Sequence, residues 1–348
     1  MNQTLNGIRR ILITILVAMG VGALFIVAIG ENPIDAYAAL FRGAFDGELR
    51  LGTTLAGFTP LLLTSIAFAV AAKAGAFNVG VEGEVFLGGI TAAYIGINWT
   101  FLPKPALYVA CFVGAMVVAA AWALIPAVLR AYYNVNEVCT TILMNTVALY
   151  ITSYLVSGPM SAGTANAQSL PVTVRLYQFM KRSSVNVGIF IAAITVIVII
   201  FMLQKSSWGY KIRTVGLNPT HADYVGIDSK KVFVGAMMLS GMLGGMAGCI
   251  EVLGVHGYFL NNFATGLGSN GMLAALIVKN NMVSTPFMAF FLAVLKSGAM
   301  GMQQSTGVPK SLVDTITAVF IIIATMETAL QFTKNRNKKT EEKKEDKA

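Results

Sequence analysis

The chain has 348 residues, of which 56% are apolar and only 12% charged, with a formal net charge of +9. An ordinary soluble domain carries roughly 25% charged residues, so a soluble globule is excluded and hydrocarbon is the solvent to which the fold answers. Cys111, Cys139 and Cys249 lie singly in apolar runs, which suggests neither a disulfide framework nor a CxxC metal site; no metal and no cofactor is expected.

A helix needs about 20 mostly apolar residues to cross a hydrocarbon core about 30 Å thick. Windows at 11–30, 52–73, 77–97, 105–129, 137–157, 186–204, 232–253, 270–281, 284–303 and 310–332 predict an all-α integral membrane protein with about ten transmembrane helices. The eighth window is too short to cross alone. It reads as a half-helix or re-entrant segment buried in protein, the setting where broken backbone is tolerated at depth. Arg9 and Arg10 precede a first window too long for a secretory signal, so it reads as a retained anchor. Residues 31–51 have apolar positions at helical spacing among charges, as in an amphipathic helix on the outer surface. Residues 1–333 thus form one transmembrane domain. Residues 334–348, with 7 Lys/Arg and 4 Asp/Glu, read as a solvated, disordered tail.

Lys and Arg set orientation. With the N-terminus inside, 17 basic residues fall on the cytoplasmic side and 7 outside, predicting N-in and C-in. The positive net charge then reflects topology and attraction to anionic lipid of the bilayer, and nucleic acid is not implied.

Two connections are long. Residues 158–185 form an outer loop of small polar residues. Residues 205–231 lie on the inner face, where Asn218-Pro219 initiates a turn, Asn218 caps and Pro219 suits a first helical position. A short helix over Thr220–Val225, stopped by Gly226, follows. So short a helix is marginal alone and makes sense docked into a partner's cleft; a solvated loop is the plainer alternative.

Gly209 through Arg213, Gly216, Asn218-Pro219, Ala222 and Gly226-Ile227 resemble the coupling segment of ABC importer permeases for simple sugars and nucleosides, with His221 replacing a small residue. Gly75–Glu84 (GAFNVGVEGE) resembles a second block of that group, particularly the nucleoside permeases paired with a basic membrane lipoprotein. Asn136–Asn145 (NEVCTTILMN) resembles a third, with Leu143-Met144 exchanged. The blocks occur in the group's order over about residues 52–330. The resemblance implies that Gly216, Asn218, Pro219, Thr220, His221, Ala222, Asp223, Gly226 and Ile227 meet an ATPase.

Polar residues at bilayer depth cost about 2.5–3.5 kcal/mol each even on the lenient insertion scale when charged, so they face protein or water. Asn78 and Glu82, four apart, are expected to share a helix face; they either line a solute path or satisfy an irregular helix start. Thr141 and Asn145, with Glu137 a turn below, either continue that path or tie helices together at about 0.6 kcal/mol apiece. Glu251 and His256 read as a proton relay or, more simply, a structural pair. Residues 266–299 resemble the family's second-half pore segment, adding Asn270 to the candidate path.

Gly241/Gly245 and Gly244/Gly248 give two overlapping GxxxG patterns that predict tight helix contact. Gly266 through Gly271 matches GxGxxG by letter but follows no strand, and no GxxxxGK[ST] occurs, so ATP phosphates have no P-loop here. The resemblance therefore implies a non-catalytic permease subunit of an importer in the bacterial inner (plasma) membrane, moving a nucleoside or related sugar. It also implies three partners: a cytosolic ABC ATPase, a second homologous permease and an extracytoplasmic substrate-binding lipoprotein. The rival from another class is an ion-gradient-driven secondary transporter using Glu82, Glu137, Glu251 and His256.

Overall fold

The computed structural model describes residues 19–309 except 181, together with 311–315 and 318. The helices are α1 (Met19–Ala28), α2 (Pro33–Phe45), α3 (Gly47–Lys73), α4 (Val81–Asn98), α5 (Lys104–Tyr133), α6 (Glu137–Ser157) and α7 (Gly188–Lys205). They continue with α8 (Ser207–Leu217), α9 (Pro219–Tyr224), α10 (Ser229–Ile250, prolonged by a π-helical turn Glu251–His256), α11 (Leu267–Ile277) and α12 (Thr285–Thr306). The described chain divides into two compact units, 45–294 and the remainder.

Among the described residues, six helices are long and apolar enough to cross a membrane: α3, α5, α6, α7, α10 with its π turn, and α12. A seventh is reached if α1 and α2, bent by 116° to one another, count as one broken span. The described residues thus account for six or seven of the about ten predicted crossings by length and composition. The 77–97 window is the helix α4, which carries Glu82 and Glu84 in its first turn and is buried along most of its length; it is not among the six. At 1.5 Å per residue, the 11 residues of α11 cover about 16 Å, half the hydrocarbon core. Residues 11–18 of the 11–30 window, most of the 310–332 window and the 334–348 tail lie outside the described residues. The single amphipathic helix expected over 31–51 is broken at Asp46, and Gly47 (φ +79°) begins the long helix α3.

The core of the 45–294 unit is organised by glycine. Helix α10 runs between α4 and α5, and its two GxxxG rows face different neighbours. A methyl group at Gly241 would stand 2.7 Å from the Ala119 carbonyl of α5, and one at Gly245 would meet the Ala115 carbonyl. On the other side a methyl at Gly244 would stand 2.8 Å from the Glu84 Cβ of α4, and one at Gly248 would meet the Val85 carbonyl and, at 2.7 Å, the Gly89 nitrogen. Backbone thus packs on backbone along both faces, the arrangement that small-xxx-small rows permit. Burial follows this order: 78% of the most apolar stretch of α3 and 72% of that of α10 are buried, against 17% for α6.

Helices α4 and α6 run parallel, Gly80 lying against Thr141 and Gly83 against Asn145 and Ala148. Short connections place Lys73–Gly75, Arg130–Glu137 and Ser206–Ser229 at one end of the unit. There the Arg130 guanidinium pairs with Glu137 at 3.0 Å and Lys230 sits over the Tyr132 ring. The opposite end carries the 158–187 connection, folded back on the end of α10. Ser169, Val172 and Leu176 N–H groups donate to the Phe259, Gly257 and Leu253 carbonyls, and Gln178 Nε2 donates to Gly254 O at 2.9 Å. Leu253 and Gly254 lie in the last turn, whose carbonyls have no helical partner ahead of them, and the loop supplies one. From Gly257 the chain turns back inward without helix. Phe263 packs edge-on to Phe86, and α11 begins where Gly268 meets Glu82 and Leu267 O accepts from Thr64.

In the smaller unit Ile26, Ala36 and Leu40 bury against Ala299, Met302 and Val313. Gly43 stands against the Gly298 carbonyl and Gly301 Cα.

Candidate functional site

The polar block at the start of α4 separates into two sets. The helix begins at Val81, three residues later than an unbroken helix through Asn78 would require. Asn78 sits in the preceding turn, its Oδ1 accepting the Gly80 N–H at 2.9 Å. Its amide then points inward and donates to Glu84 Oε1 and Ser240 Oγ, both at 2.9 Å. Asn78 and Glu82 therefore do not share a face, and Asn78 is fully buried. The hydrogen-bond partners Glu84 and Ser240 were not singled out in the sequence; Glu84 stands in the same block, but its inward register follows only from where α4 starts.

Thr141 is also fully buried, its hydroxyl returned to the Glu137 carbonyl at 2.7 Å. Asn145 clamps α6 to α4, donating to Val79 O at 2.9 Å and accepting from Gly83 N at 2.8 Å. Glu137 is held by Arg130. The Asn270 amide is bonded to the Gly266 carbonyl one turn back. Of the five candidate path residues, Glu82 is the one whose side chain is half-buried and bonded to an exposed group, the Ser269 hydroxyl at 3.2 Å. Glu251 and His256 face each other across the π turn at 3.7 Å. Among the described residues no group of three or more His, Cys, Asp or Glu is placed to hold a metal ion.

The second candidate is the 206–229 segment. Asn218 is extended and its Oδ1 accepts the His221 N–H at 3.0 Å, with Pro219 at the first helical position. The helix is closed by the Ile227 N–H donating to Ala222 O at 2.9 Å and by Gly226 in the left-handed region at φ +81°, the conformation a helix terminator of this kind requires. Ala222 is buried, whereas Leu217 and Tyr224 are 88% and 86% exposed and Thr220, His221 and Asp223 are exposed too. This knob is fastened at both ends. The Asp223 carboxylate accepts from the Ser229 N–H and hydroxyl, each at 2.9 Å, tying α9 to the first residue of α10. On the other side Gly216 lies against the Lys73 carbonyl and Gly75 at the end of α3. Asp228 caps α10 through Lys231; that backbone N–H, with the Lys231 ammonium, holds its carboxyl below the ordinary value of 3.8.

A family model described as branched-chain amino acid transport system / permease component matches residues 50–325. Three relatives align along most of the chain. The guanosine ABC transporter permease protein NupP of Bacillus subtilis is 32% identical over 338 residues, covering 94% of this chain and 96% of its own. The glucose ABC transporter permease protein TsgB13 of Haloferax volcanii is 32% identical over 323 residues, covering 89% and 85%. The nucleoside ABC transporter permease protein NupB of Lactococcus lactis is 30% identical over 335 residues, covering 92% and 91%.

Proposed function

We propose, from the premise that the chain belongs to the branched-chain amino acid transport system / permease component family, that it is the membrane-spanning subunit of an ATP-driven importer that takes up a nucleoside. The relatives are ABC transporter permeases named for nucleosides and for glucose, and two of the three name a nucleoside solute. The observation that carries the reading is the α9 knob: a six-residue helix too short to persist alone, capped at both ends and exposing Leu217 and Tyr224. A separate ATPase is the partner that gives such a knob something to grip, and hydrolysis takes place there. Lys73, Arg130, Lys205, Lys211, Arg213, Lys230 and Lys231 cluster at the knob's end of the bundle, against Arg50, Lys104, Arg175 and Arg182 at the other. By the positive-inside rule the knob's end is cytoplasmic, in the inner (plasma) membrane of a bacterial cell.

In this reading ATP-driven closure of the motor displaces α9, and the displacement passes through Asp223–Ser229 into α10 and through Gly216 into the end of α3. Those two helices are the most buried of the spans, so motion of either repacks the core. The solute path narrows to the side of α4 where Glu82 and Ser269 are accessible, and a second permease and an outer lipid-anchored binding protein complete the assembly. About ten crossings, N-in and C-in, remain the topology we assign.

The test is uptake in proteoliposomes. With its ATPase, second permease and binding protein, the chain imports labelled guanosine only when ATP is enclosed, and a cysteine at His221 cross-links to the ATPase. Guanosine uptake by this chain alone, driven by a proton or sodium gradient and abolished by Glu82→Gln, would reverse the assignment in favour of a secondary carrier.

A further inference from the structure

Helices α4 and α6 touch closely in their inner halves because Gly80 and Gly83 admit Thr141, Asn145 and Ala148. Their outer halves have no such glycines at the contact. Ile90, Thr91, Tyr94 and Ile97 project there instead, and with Asn98, Leu155, Pro159, Met160 and Leu170 they line an open pocket of about 420 Å³. That is within the range of small-molecule sites, which join apolar walls to a few fixed polar groups.

We infer that this pocket is a reception site for the base and ribose of a nucleoside at the extracytoplasmic mouth, upstream of Glu82. The inference rests on the nucleoside reading above. The walls suit a flat, partly polar solute. Tyr94, about half exposed, presents a ring for stacking, and Ile90, Ile97, Leu155 and Met160 offer apolar contact to the plane of a base. Asn98 donates its amide to Tyr94 O at 2.9 Å, which fixes the side chain. Its Oδ1 and the Tyr94 hydroxyl have no hydrogen-bond partner among the described residues, leaving an acceptor and a donor–acceptor for base edges or ribose hydroxyls. A lipid chain would leave both groups unmatched.

Position supports the assignment. The pocket lies at the end opposite the α9 knob, where the 158–187 loop folds over, and it opens on the same helix whose inner end carries Glu82. A solute released from outside meets this end of α4 first.

The experiment uses the assembled transporter in proteoliposomes, with Thr91→Cys in a Cys139→Ser background because Cys139 is the exposed cysteine. A membrane-impermeant maleimide added outside labels position 91, and guanosine protects it with a half-maximal concentration that follows its KM for uptake. Tyr94→Ala raises the uptake KM about tenfold with Vmax retained, a loss within the range of base–aromatic stacking, and Tyr94→Trp restores it. Guanosine import by the wild-type assembly without protection at position 91 overturns the pocket while leaving the nucleoside reading intact. Absence of any nucleoside import overturns both. Labelling that disappears on assembly whether or not guanosine is present assigns the pocket to a protein contact and overturns the proposal.

Discussion

The Asn78 amide and the Ser240 hydroxyl are joined at 2.9 Å across 162 positions of sequence, with Glu84 on the same amide. This one buried side chain pins the turn before α4 to the middle of α10. Asn78→Ala leaves the Gly80 N–H, Ser240 and Glu84 short of a partner, at about 1–3 kcal/mol for a stranded buried group. A thermal melt of the detergent-purified protein reads this as a lowered midpoint; an unchanged melt would contradict the network. Ser240→Ala, removing one contact, lowers it less.

Gly248→Ala sets two effects against each other. Replacing glycine within a helix gains up to about 1 kcal/mol in propensity, whereas driving a methyl into the Val85 carbonyl and Gly89 nitrogen costs about 1–3 kcal/mol as overpacking. The obstacle is backbone and cannot rotate aside, so the clash wins and the melting midpoint falls. A rise would mean that α4 and α10 separate without cost.

Asp223→Ala removes both bonds to Ser229 but leaves the Asn218 cap intact. The expected result is an assembled transporter with normal membrane insertion and at least several-fold lower uptake per ATP hydrolysed, measured by running uptake and phosphate release side by side. Full coupling in this variant would show that α9 does not transmit through α10.

Asp228 gives a pH dependence with a definite sign. Its folded carboxyl titrates below 3.8, so the cap is present above the ordinary carboxylate range and is lost as pH falls through the lower, folded value. Protection of the Lys231 amide, taken relative to its intrinsic exchange rate at each pH, should fall at that acid edge in the wild type. In Asp228→Asn, which caps without a titrating group, the edge should vanish.

Glu82→Gln keeps an oxygen for the Ser269 hydroxyl and removes the charge. For a pump with Glu82 in its path, ATP-dependent uptake persists with a KM changed several-fold and no shift in melting midpoint. Uptake lost outright, with the fold intact, would instead make the carboxylate a coupling group.

The sequence made α9 legible because its determinants are local. Asn218-Pro219 and Gly226 fix both ends within nine residues, and the observed helix begins one residue before the expected 220 and ends one before 225. The paired GxxxG rows were legible as contacts but not as two different contacts. The polar block at 78–84 was misread in register, because an Asx turn at Asn78 displaces the helix start and turns the side chain inward. Glu82 and Glu84 marked only the start of α4 as facing protein or water; the rest of its window read like any lipid-facing span, although it is walled by protein. The docking of Ser169–Gln178 on the π turn joins residues about 80 positions apart, beyond any local pattern.

The non-helical run from Gly257 to Gly266 and the half-length α11 impose an order on biogenesis. Bare peptide groups cannot be released sideways into lipid by the insertion machinery, and this stretch has no wall of its own. Its contacts are with Phe86, Thr64 and Glu82, so residues 257–277 settle only once α3 and α4 stand in place, with the first half of the chain as their template.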